Sequence, residues 1–286
     1  MNERACQLPR RSFVLGMTGV AFLGVGTATA QETLSRAAGV AVLGQAAKAL
    51  CLLGTSWVLV DEDGTTYPTT GLDGAAVLDV ATDERGVLAV GSRPAPPFTE
   101  ATVWESADGV TWREAMRLAG VNAEFTGVGF GPGTAMALGS VLTEERAPAQ
   151  TIAARRERRV WSEVPVTGLE PTAELAITTL SGNRSGWVAA AITQEGTTLY
   201  RSPDGASWST DGTVPDAAVQ GLLLEPGGVR WVANAIGGSA AITGTVGAGR
   251  EPVAVPQDAH AVGAVRTRRG PLSYWLVDGR LVTARI

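Results

Sequence analysis

Short apolar runs, each ended by a tight turn, recur along most of this chain. Residues 76–80 and 86–91 have the length and apolar content of buried β-strands, and residues 104–112 add two more strands around an Asp-Gly turn. The stretches 125–164, 175–208 and 219–255 repeat this order of four strands. The pattern therefore predicts an all-β protein made of four-stranded units.

One motif marks the period of these units. Residues 104–112 return in close copy as residues 200–208, each with Ser-x-Asp-Gly-x-x-Trp, and weaker copies end at Tyr67 and Trp161. By subtraction of residue numbers, the four closing aromatic residues are 45, 49 and 47 positions apart. A period in this range is typical of β-propeller blades. The motif residues are Asp61, Asp63, Gly64 and Tyr67; Ser106, Asp108, Gly109 and Trp112; Glu157 and Trp161; and Ser202, Asp204, Gly205 and Trp208.

Each residue type in the motif suits a structural task. The Ser and Asp side chains can bond backbone N–H groups across the turn, and Gly accepts the positive φ of a tight hairpin. The closing Trp can pack into the seam between blades. The third copy keeps an acid at Glu157 but has Arg158 in place of Gly. We interpret the motif as structural and assign no catalytic residue to it.

The two sharp copies resemble the Asp-box of the sialidase and BNR-repeat propeller families, whose pattern is Ser-x-Asp-x-Gly-x-x-Trp. One residue between Asp and Gly is missing here, so the resemblance is to the broad BNR-like group. It implies a propeller over residues 57–286 with the motif at the blade periphery. A sialidase-like site would also need an arginine triad and a Tyr–Glu pair, and of the three tyrosines only Tyr274 lies outside a repeat position.

The ends of the chain determine the predicted blade number. The Ala-rich residues 37–50 predict a helix within a segment 31–53, and the run is too short to span a bilayer. The propeller is then expected over 54–286. Two strands within 57–67 and two or three within 262–286 would share a closing blade, which gives five blades. Six blades are the alternative if the helical segment hides strands.

Residues 1–30 have the features of an export signal. Arg10 and Arg11 precede an apolar run that ends in Ala-Thr-Ala before Gln31, and the pattern resembles a twin-arginine signal peptide. An ordinary secretory signal and an uncleaved anchor are the alternatives. We expect an exported protein, extracellular, periplasmic or attached to the cell envelope. Membrane contact is expected only through an uncleaved signal or residues 37–50.

Charge and composition exclude several classes of function. The net charge is −5, and residues 1–30 contain three arginines and one glutamate, so the remainder carries −7. Nucleic acid is therefore not an expected partner. His260 is the sole histidine, which excludes multi-His metal sites, and Cys51 is expected to be a buried apolar residue. We predict no metal site and no cofactor, and interpret the acidic residues 61–63 and the arginine-rich residues 155–159 as solvated turns.

These observations favour a non-catalytic propeller, expected to be a monomer, that binds a protein or a cell-envelope glycan. The long second-to-third-strand loops 93–100 and 143–150 are its expected contact elements. The alternative is a divergent carbohydrate-active enzyme, which would need two carboxylates and an arginine at one mouth of the central channel. A third hypothesis, assistance in assembling a membrane complex, rests on export alone.

Overall fold

The computed structural model describes residues 33–43, 46–169, 176–193, 196–236, 240–253, 255–256, 258–268 and 270–286. These residues form six antiparallel sheets and no helix. Every sheet follows chain order from its first strand outward, and the first strands of successive sheets contact one another around a ring. The described chain is thus a β-propeller of six blades, the alternative count; the five-blade prediction is wrong. The predicted export signal, including Arg10 and Arg11, lies outside the described residues.

The first three blades contain four strands each. Blade 1 has β1 (Leu34–Leu43), β2 (Ala46–Leu53), β3 (Ser56–Asp61) and β4 (Thr66–Pro68). Blade 2 has β5 (Ala76–Asp83), β6 (Gly86–Ala95), β7 (Phe98–Ser106) and β8 (Arg113–Arg117). Blade 3 has β9 (Ala123–Gly131), β10 (Thr134–Leu142), β11 (Pro148–Glu157) and β12 (Val160–Glu163).

The second half of the ring repeats this order, except that the described part of the last blade has three strands. Blade 4 has β13 (Ala176–Asn183), β14 (Gly186–Thr193), β15 (Gly196–Ser202) and β16 (Ser209–Pro215). Blade 5 has β17 (Ala217–Glu225), β18 (Gly228–Ala235), β19 (Ala241–Thr245) and β20 (Ala248–Pro252). Blade 6 has β21 (His260–Thr267), β22 (Gly270–Val277) and β23 (Arg280–Arg285).

The predicted helix over residues 37–50 is wrong, because residues 37–43 belong to strand β1 and residues 46–50 to strand β2, which pair antiparallel in blade 1. Alanine favours helices in isolation, but tertiary contacts override so weak a preference. Ala41, Ala47 and Ala49 are almost fully buried between neighbouring blades. Small side chains suit such a position, and the propeller therefore begins at Leu34, not at residue 54.

The predicted closing blade, shared between the two ends of the chain, is also wrong. Blade 1 takes all its strands from residues 34–68, and blade 6 takes its described strands from residues 260–285. The ends of the ring meet through side-chain packing and one backbone bond, in which Leu34 N donates to Gly279 O at 3.2 Å. Val262 and Tyr274 of blade 6 pack with Cys51 of blade 1 in one apolar cluster.

Every first strand carries a one-residue bulge at the same place, and the residue after it lies where adjacent first strands come closest. In four of the six blades that residue is glycine. A Cβ on Gly39 would lie 2.8 Å from Val80 N, and one on Gly127 would lie 2.9 Å from Leu180 N. Glycine therefore allows neighbouring first strands to pack closely.

Blade 2 has Asp79 at this position. Its Oδ2 accepts a hydrogen bond from Val128 N of blade 3 at 2.9 Å, and its Oδ1 accepts one from Val80 N at 2.8 Å. Burial raises the pKa of Asp79 to about 8, against the opposing effect of these backbone donors. The carboxyl thus links two inner strands, and we assign it to the packing of the ring.

Candidate binding groove

The turns of the blades divide between two faces of the ring. Because each sheet is an antiparallel meander, the first-to-second and third-to-fourth turns lie on one face, which we name the turn face. The second-to-third turns lie on the opposite face, named the loop face. Both sharp motif copies are third-to-fourth turns and so belong to the turn face.

The motif turn of blade 2 satisfies its own backbone. Ser106 Oγ accepts a bond from Gly109 N at 2.8 Å and donates to Asp108 Oδ1 at 2.9 Å. The same Asp108 oxygen accepts bonds from the backbone N–H groups of Val110 at 2.8 Å and Thr111 at 2.9 Å. These donors, Thr111 first, hold the pKa of Asp108 below its usual value. The turn is therefore closed by an ionised carboxylate.

Blade 4 repeats this arrangement bond for bond. Gly205 N donates to Ser202 Oγ at 2.8 Å, and Asp204 Oδ1 accepts from Ala206 N at 2.8 Å and Ser207 N at 2.9 Å. The pKa of Asp204 is lowered by the same kind of backbone donors, Ser207 first. Trp208 Nε1 donates to Gly205 O at 3.1 Å, as Trp112 Nε1 donates to the corresponding oxygen of blade 2 at 2.8 Å.

A second repeat, Thr-Gly-Leu, docks on each motif turn from the preceding blade. Thr70 N donates to Val110 O, and Trp112 N donates back to Thr70 O, each at 2.9 Å. Residues 167–169 make the same pair of bonds with Ala206 and Trp208. This repeat is not among the predicted motifs, although the identity of residues 70–72 and 167–169 is visible in the sequence.

The first motif copy folds differently from the two sharp ones. Asp61 Oδ1 accepts bonds from Asp63 N at 3.1 Å and Thr65 N at 2.8 Å, and Tyr67 OH donates to Asp61 Oδ2 at 2.9 Å. Gly64 N donates to Asp61 O at 3.1 Å. The Asp61 carboxylate thus bonds within the turn, whereas Glu62 accepts a bond from Tyr274 OH of blade 6 at 3.4 Å. The described residues contain no group of three or more His, Cys, Asp or Glu arranged to hold a metal ion.

The third copy is a bare two-residue hairpin between β11 and β12. Arg158 and Arg159 occupy the turn with φ values of 49° and 72°, a region that favours Gly and Asn. Glu157 pairs with Arg155 at 2.7 Å and does not cap the turn. The closing Trp161 donates its Nε1 proton to Glu105 of blade 2 at 2.9 Å instead of to its own turn. The blade 3 turn is therefore stabilised by a residue of blade 2 and not by a cap of its own.

A groove of about 700 Å³ lies on the turn face between the motif turn of blade 2 and this hairpin of blade 3. Five arginines and two carboxylates line it, together with an apolar floor. The charged lining residues are Arg85, Arg113, Arg156, Arg158, Arg159, Glu105 and Asp108. The floor includes Val87, Leu88, Trp112, Phe130 and Ala135. We name this surface the arginine groove.

A smaller groove of about 420 Å³ lies on the other side of the hairpin, toward blade 4. It shares Gly133, Thr134, Arg156 and Arg158 with the arginine groove and ends at Asp204 of the second motif turn. The two grooves are therefore contiguous around the arginine hairpin. A motif turn borders each of them.

Glu105 holds the arginine groove together. This carboxylate is only 7% exposed, and besides Trp161 it pairs with Arg156 at 3.0 Å and with Arg113 at 2.5 Å. Arg156 and Trp161 belong to blade 3, so one side chain of blade 2 anchors the neighbouring blade. Arg113 remains 69% exposed despite this pairing, and its other donors face solvent.

The groove is a region of positive charge on an acidic chain. Arg85 pairs with Asp83 at 2.6 Å and covers the ring of Phe130, 5.0 Å from its centroid. Within the described chain, Arg158 and Arg159 make no hydrogen bond or ion pair, and both are exposed. Unpaired guanidinium groups beside a cleft attract anionic partners.

A partly buried carboxylate lies near two arginines on the loop face. At the starts of the first strands, Glu124 lies 3.6 Å from Arg146, and its pKa is raised by burial. Arg36 is a second arginine near this carboxylate. Two carboxylates share an arginine on the outer strands of blade 2, where Arg117 contacts Glu100 and Glu114.

Other residues singled out from sequence lie away from the groove. Cys51 is a free cysteine buried on β2, and burial raises the pKa of its thiol to about 12. His260 is exposed at the start of β21. Residues 93–100 are not a long loop, because strands β6 and β7 leave only Pro96 and Pro97 between them. No described residue belongs to a helix of the length and hydropathy needed to cross a membrane.

The groove residues Arg85, Arg113, Arg156, Arg158 and Arg159 were not predicted as a site. They come from turns and strand ends of two blades, separated by up to 74 positions by subtraction of residue numbers. The available signal was that arginines recur near turns of the same face in consecutive repeats. Recognising this signal requires knowledge of the blade boundaries, because these determine on which face each turn lies.

The chain resembles known β-propeller structures at low identity. One similar structure is a subtype N10 neuraminidase-like protein of A/little yellow-shouldered bat/Guatemala/060/2010, with a TM-score of 0.59 and 10% identity. The superposition covers 88% of this chain and 95% of that chain. Against an exo-beta-1,3-galactanase from Phanerochaete chrysosporium, the TM-score is 0.51 at 10% identity, with 81% of this chain and 65% of that chain covered. These similarities support the propeller fold alone.

A third structure, YCF48 bound to D1 peptide, has 18% identity and a TM-score of 0.46, with 74% of this chain and 67% of that chain covered. The chain thus spans only about two thirds of the length of YCF48 and of the galactanase. No protein-family model matches the chain, and no curated protein matches it.

Proposed function

We propose that the protein is an exported, non-catalytic β-propeller that acts as a binding or assembly scaffold, and that the arginine groove is its contact surface. The N-terminal pattern around Arg10 and Arg11 supports export. The resemblance to the Asp-box group supports a structural role for the motif turns of blades 2 and 4. The partner is a protein or a cell-envelope glycan.

One observation carries this proposal: the local charge of the arginine groove is opposite to that of the chain. The whole chain carries −5, yet five arginines and two carboxylates meet in one groove. Like charges brought together repel, and the described chain leaves Arg158 and Arg159 without a neutralising partner. An anionic partner would neutralise them, which gives the cluster a function as a recognition surface.

Co-purification of the native protein with its partners tests this proposal. The variant Arg158→Glu/Arg159→Glu reverses the exposed charge of the groove. The matched control Arg268→Glu/Arg280→Glu makes the same change in net charge at two exposed arginines of blade 6. We expect partners present with the wild type and the control to be absent with the groove variant. Identical partner sets for all three proteins would refute the groove as the contact surface.

A deletion on the loop face separates this proposal from the contact elements expected from sequence. Removing residues 95–97 shortens the β6–β7 hairpin on the face opposite the groove. We expect this deletion to leave the captured partners unchanged. If the deletion protein still folds but no longer captures its partners, the contact surface lies on the loop face instead.

A further inference from the structure

We propose, building on the function proposed above, that the arginine groove binds an extended protein segment with acidic and apolar side chains at its centre and neutral or basic residues at both ends. The inference rests on three features of the described residues. These are the placement of exposed arginines, the exposed apolar side chain of Val160 and the aspartates of the two flanking motif turns.

The unpaired arginines define where acidic side chains bind. Arg158 and Arg159 are exposed at the tip of a two-residue hairpin, and Arg113 faces them from blade 2 with a 69% exposed side chain. A guanidinium group binds a carboxylate through two parallel hydrogen bonds and prefers this planar partner. Carboxylates of a bound segment would therefore meet the centre of the groove.

The apolar side chain exposed beside Arg159 favours a peptide over an anionic glycan. Val87, Leu88 and Ala135 of the groove lining are already almost fully buried, but the side chain of Val160 is 68% exposed beside Arg159. Aliphatic side chains of a peptide can bury this surface. A sugar ring would instead need an exposed aromatic face, but Trp112 is buried and the ring of Phe130 is covered by Arg85.

The two motif aspartates define the ends of the segment. Asp108 borders the arginine groove, and Asp204 borders the contiguous smaller groove. Backbone N–H donors hold the pKa of both carboxyls below the usual value, so both stay ionised at neutral pH. They repel acids at the rims and tolerate lysine or arginine there. Glu105 and Glu157 are paired with arginines. The charges of the surface that are outside ion pairs therefore follow the order negative, positive, negative from blade 2 to blade 4, and the ligand should carry the opposite order.

Fluorescence anisotropy with two labelled peptides of identical composition tests this order. The first peptide has glutamate and leucine at its centre and lysine at both ends; the second has lysine and leucine at its centre and glutamate at both ends. We expect the full-length protein to bind the first at least about tenfold more tightly, with an affinity that falls as salt rises. Equal affinity for the two peptides would overturn the proposed order.

Charge-reversal variants test whether the first peptide binds in the arginine groove. We expect Arg158→Glu/Arg159→Glu to weaken binding of the first peptide by about tenfold or more. The control Arg268→Glu/Arg280→Glu should stay within about twofold of the wild type, because its arginines lie on blade 6. Equal weakening by both variants would show a general charge effect and contradict a specific site.

Two competing occupants give different results. A sulfated or uronic oligosaccharide that displaces the first peptide and binds more tightly would overturn the peptide in favour of a glycan. Concentration-dependent dimers, seen by light scattering and lost in the groove variant, would instead identify a second copy of this chain as the occupant.

The outcome also separates this inference from the proposed function. Absence of peptide binding, while the groove variant still loses its native partners, would refute the peptide chemistry and leave the scaffold function standing. Absence of peptide binding together with unchanged native partners would refute both.

Discussion

The third-to-fourth turns of blades 2 and 3 occupy equivalent positions in neighbouring repeats but are stabilised in opposite ways. In blade 2, Ser106 and Asp108 bond the backbone of their own turn, and the Thr-Gly-Leu segment of blade 1 docks on it. In blade 3 the turn contains Arg158 and Arg159, and its tryptophan bonds to Glu105 of the neighbouring blade.

This difference shows how a repeat can gain a binding surface without changing the fold. A turn that caps itself uses its polar side chains internally and leaves few of them for a ligand. The blade 3 hairpin relies on Glu105 for support, so its own side chains project into solvent. The self-capped turns on either side provide rigid edges for the grooves.

The docking of Thr-Gly-Leu on the self-capped turns should be the feature most sensitive to mutation. Gly168 has a φ of 80°, and a Cβ there would lie 2.0 Å from Trp208 O, so the backbone must move. We expect Gly168→Ala to lower the free energy of unfolding by more than about 3 kcal/mol. The control Gly120→Ala has a similar φ of 75° but open space around it, and should lose only about 1 kcal/mol. Equal losses in denaturant unfolding would contradict the close approach.

Removing Glu105, the external support of the blade 3 hairpin, should have the next largest effect on stability. We expect Glu105→Ala to lower the free energy of unfolding by about 2–4 kcal/mol, because Arg156 loses its ion-pair partner and Trp161 loses its buried acceptor. Glu105→Gln keeps an oxygen for Trp161 and should lose less. The exposed Glu163 provides the control, and Glu163→Ala should change stability by less than about 0.5 kcal/mol. A loss below 1 kcal/mol for Glu105→Ala would show that the hairpin stands without this support.

Removing the aspartate cap should affect blade 2 and spare blade 3. We expect Asp108→Ala to lower the free energy of unfolding by about 1–2 kcal/mol, because two backbone N–H groups lose their acceptor. Asp108→Asn should lose about half as much. At the matching position of blade 3, Glu157→Ala should change stability by less than about 0.5 kcal/mol. Comparable losses from Asp108→Ala and Glu157→Ala in denaturant unfolding would remove the distinction between the turns.

The same cap should show in the pH dependence of stability. Because the pKa of Asp108 is lowered in the folded protein, its contribution is present above the ordinary value of 3.8 and is lost as pH falls through the lower folded value. The stability difference between the wild type and Asp108→Asn should therefore shrink in acid. A difference that stays constant from neutral pH to strongly acidic pH would contradict an ionised cap.

The smallest effect on stability should be a gain. Arg158→Asn/Arg159→Gly places residues that favour positive φ in the two-residue turn. We expect the free energy of unfolding to rise by about 1 kcal/mol, since backbone strain is relieved, while binding of the acidic-centred peptide weakens by about tenfold. A variant that binds the peptide as tightly as the wild type would show that these arginines are not needed for recognition.

Much of the architecture could be predicted from local pattern. The spacing of Tyr67, Trp112, Trp161 and Trp208 predicted four-stranded propeller blades, and the described sheets have this form. The bonds made by Ser106 and Asp108 follow from residue types within one turn. Residues 37–50 were mistaken for a helix because their alanines match helical preference, whereas burial between blades favours strands of small residues there.

The arginine groove could not be derived in the same way, because its residues meet only through contacts between blades. Arg85, Arg113 and Arg158 lie in different turns, and their proximity depends on how two repeats pack. Glu105 gave no signal in sequence, since a single acid beside a motif is common. It contacts its partners Arg156 and Trp161 only because blades 2 and 3 pack against each other.

The repeat period, the strands from residue 57 onward and the self-capped turns follow from the sequence, because these depend on residues close together along the chain. Tertiary structure alone decided the blade number, the closure of the ring and the position of the grooves. Each of these depends on side chains far apart in sequence that share one seam, where burial and pairing outweigh local preference.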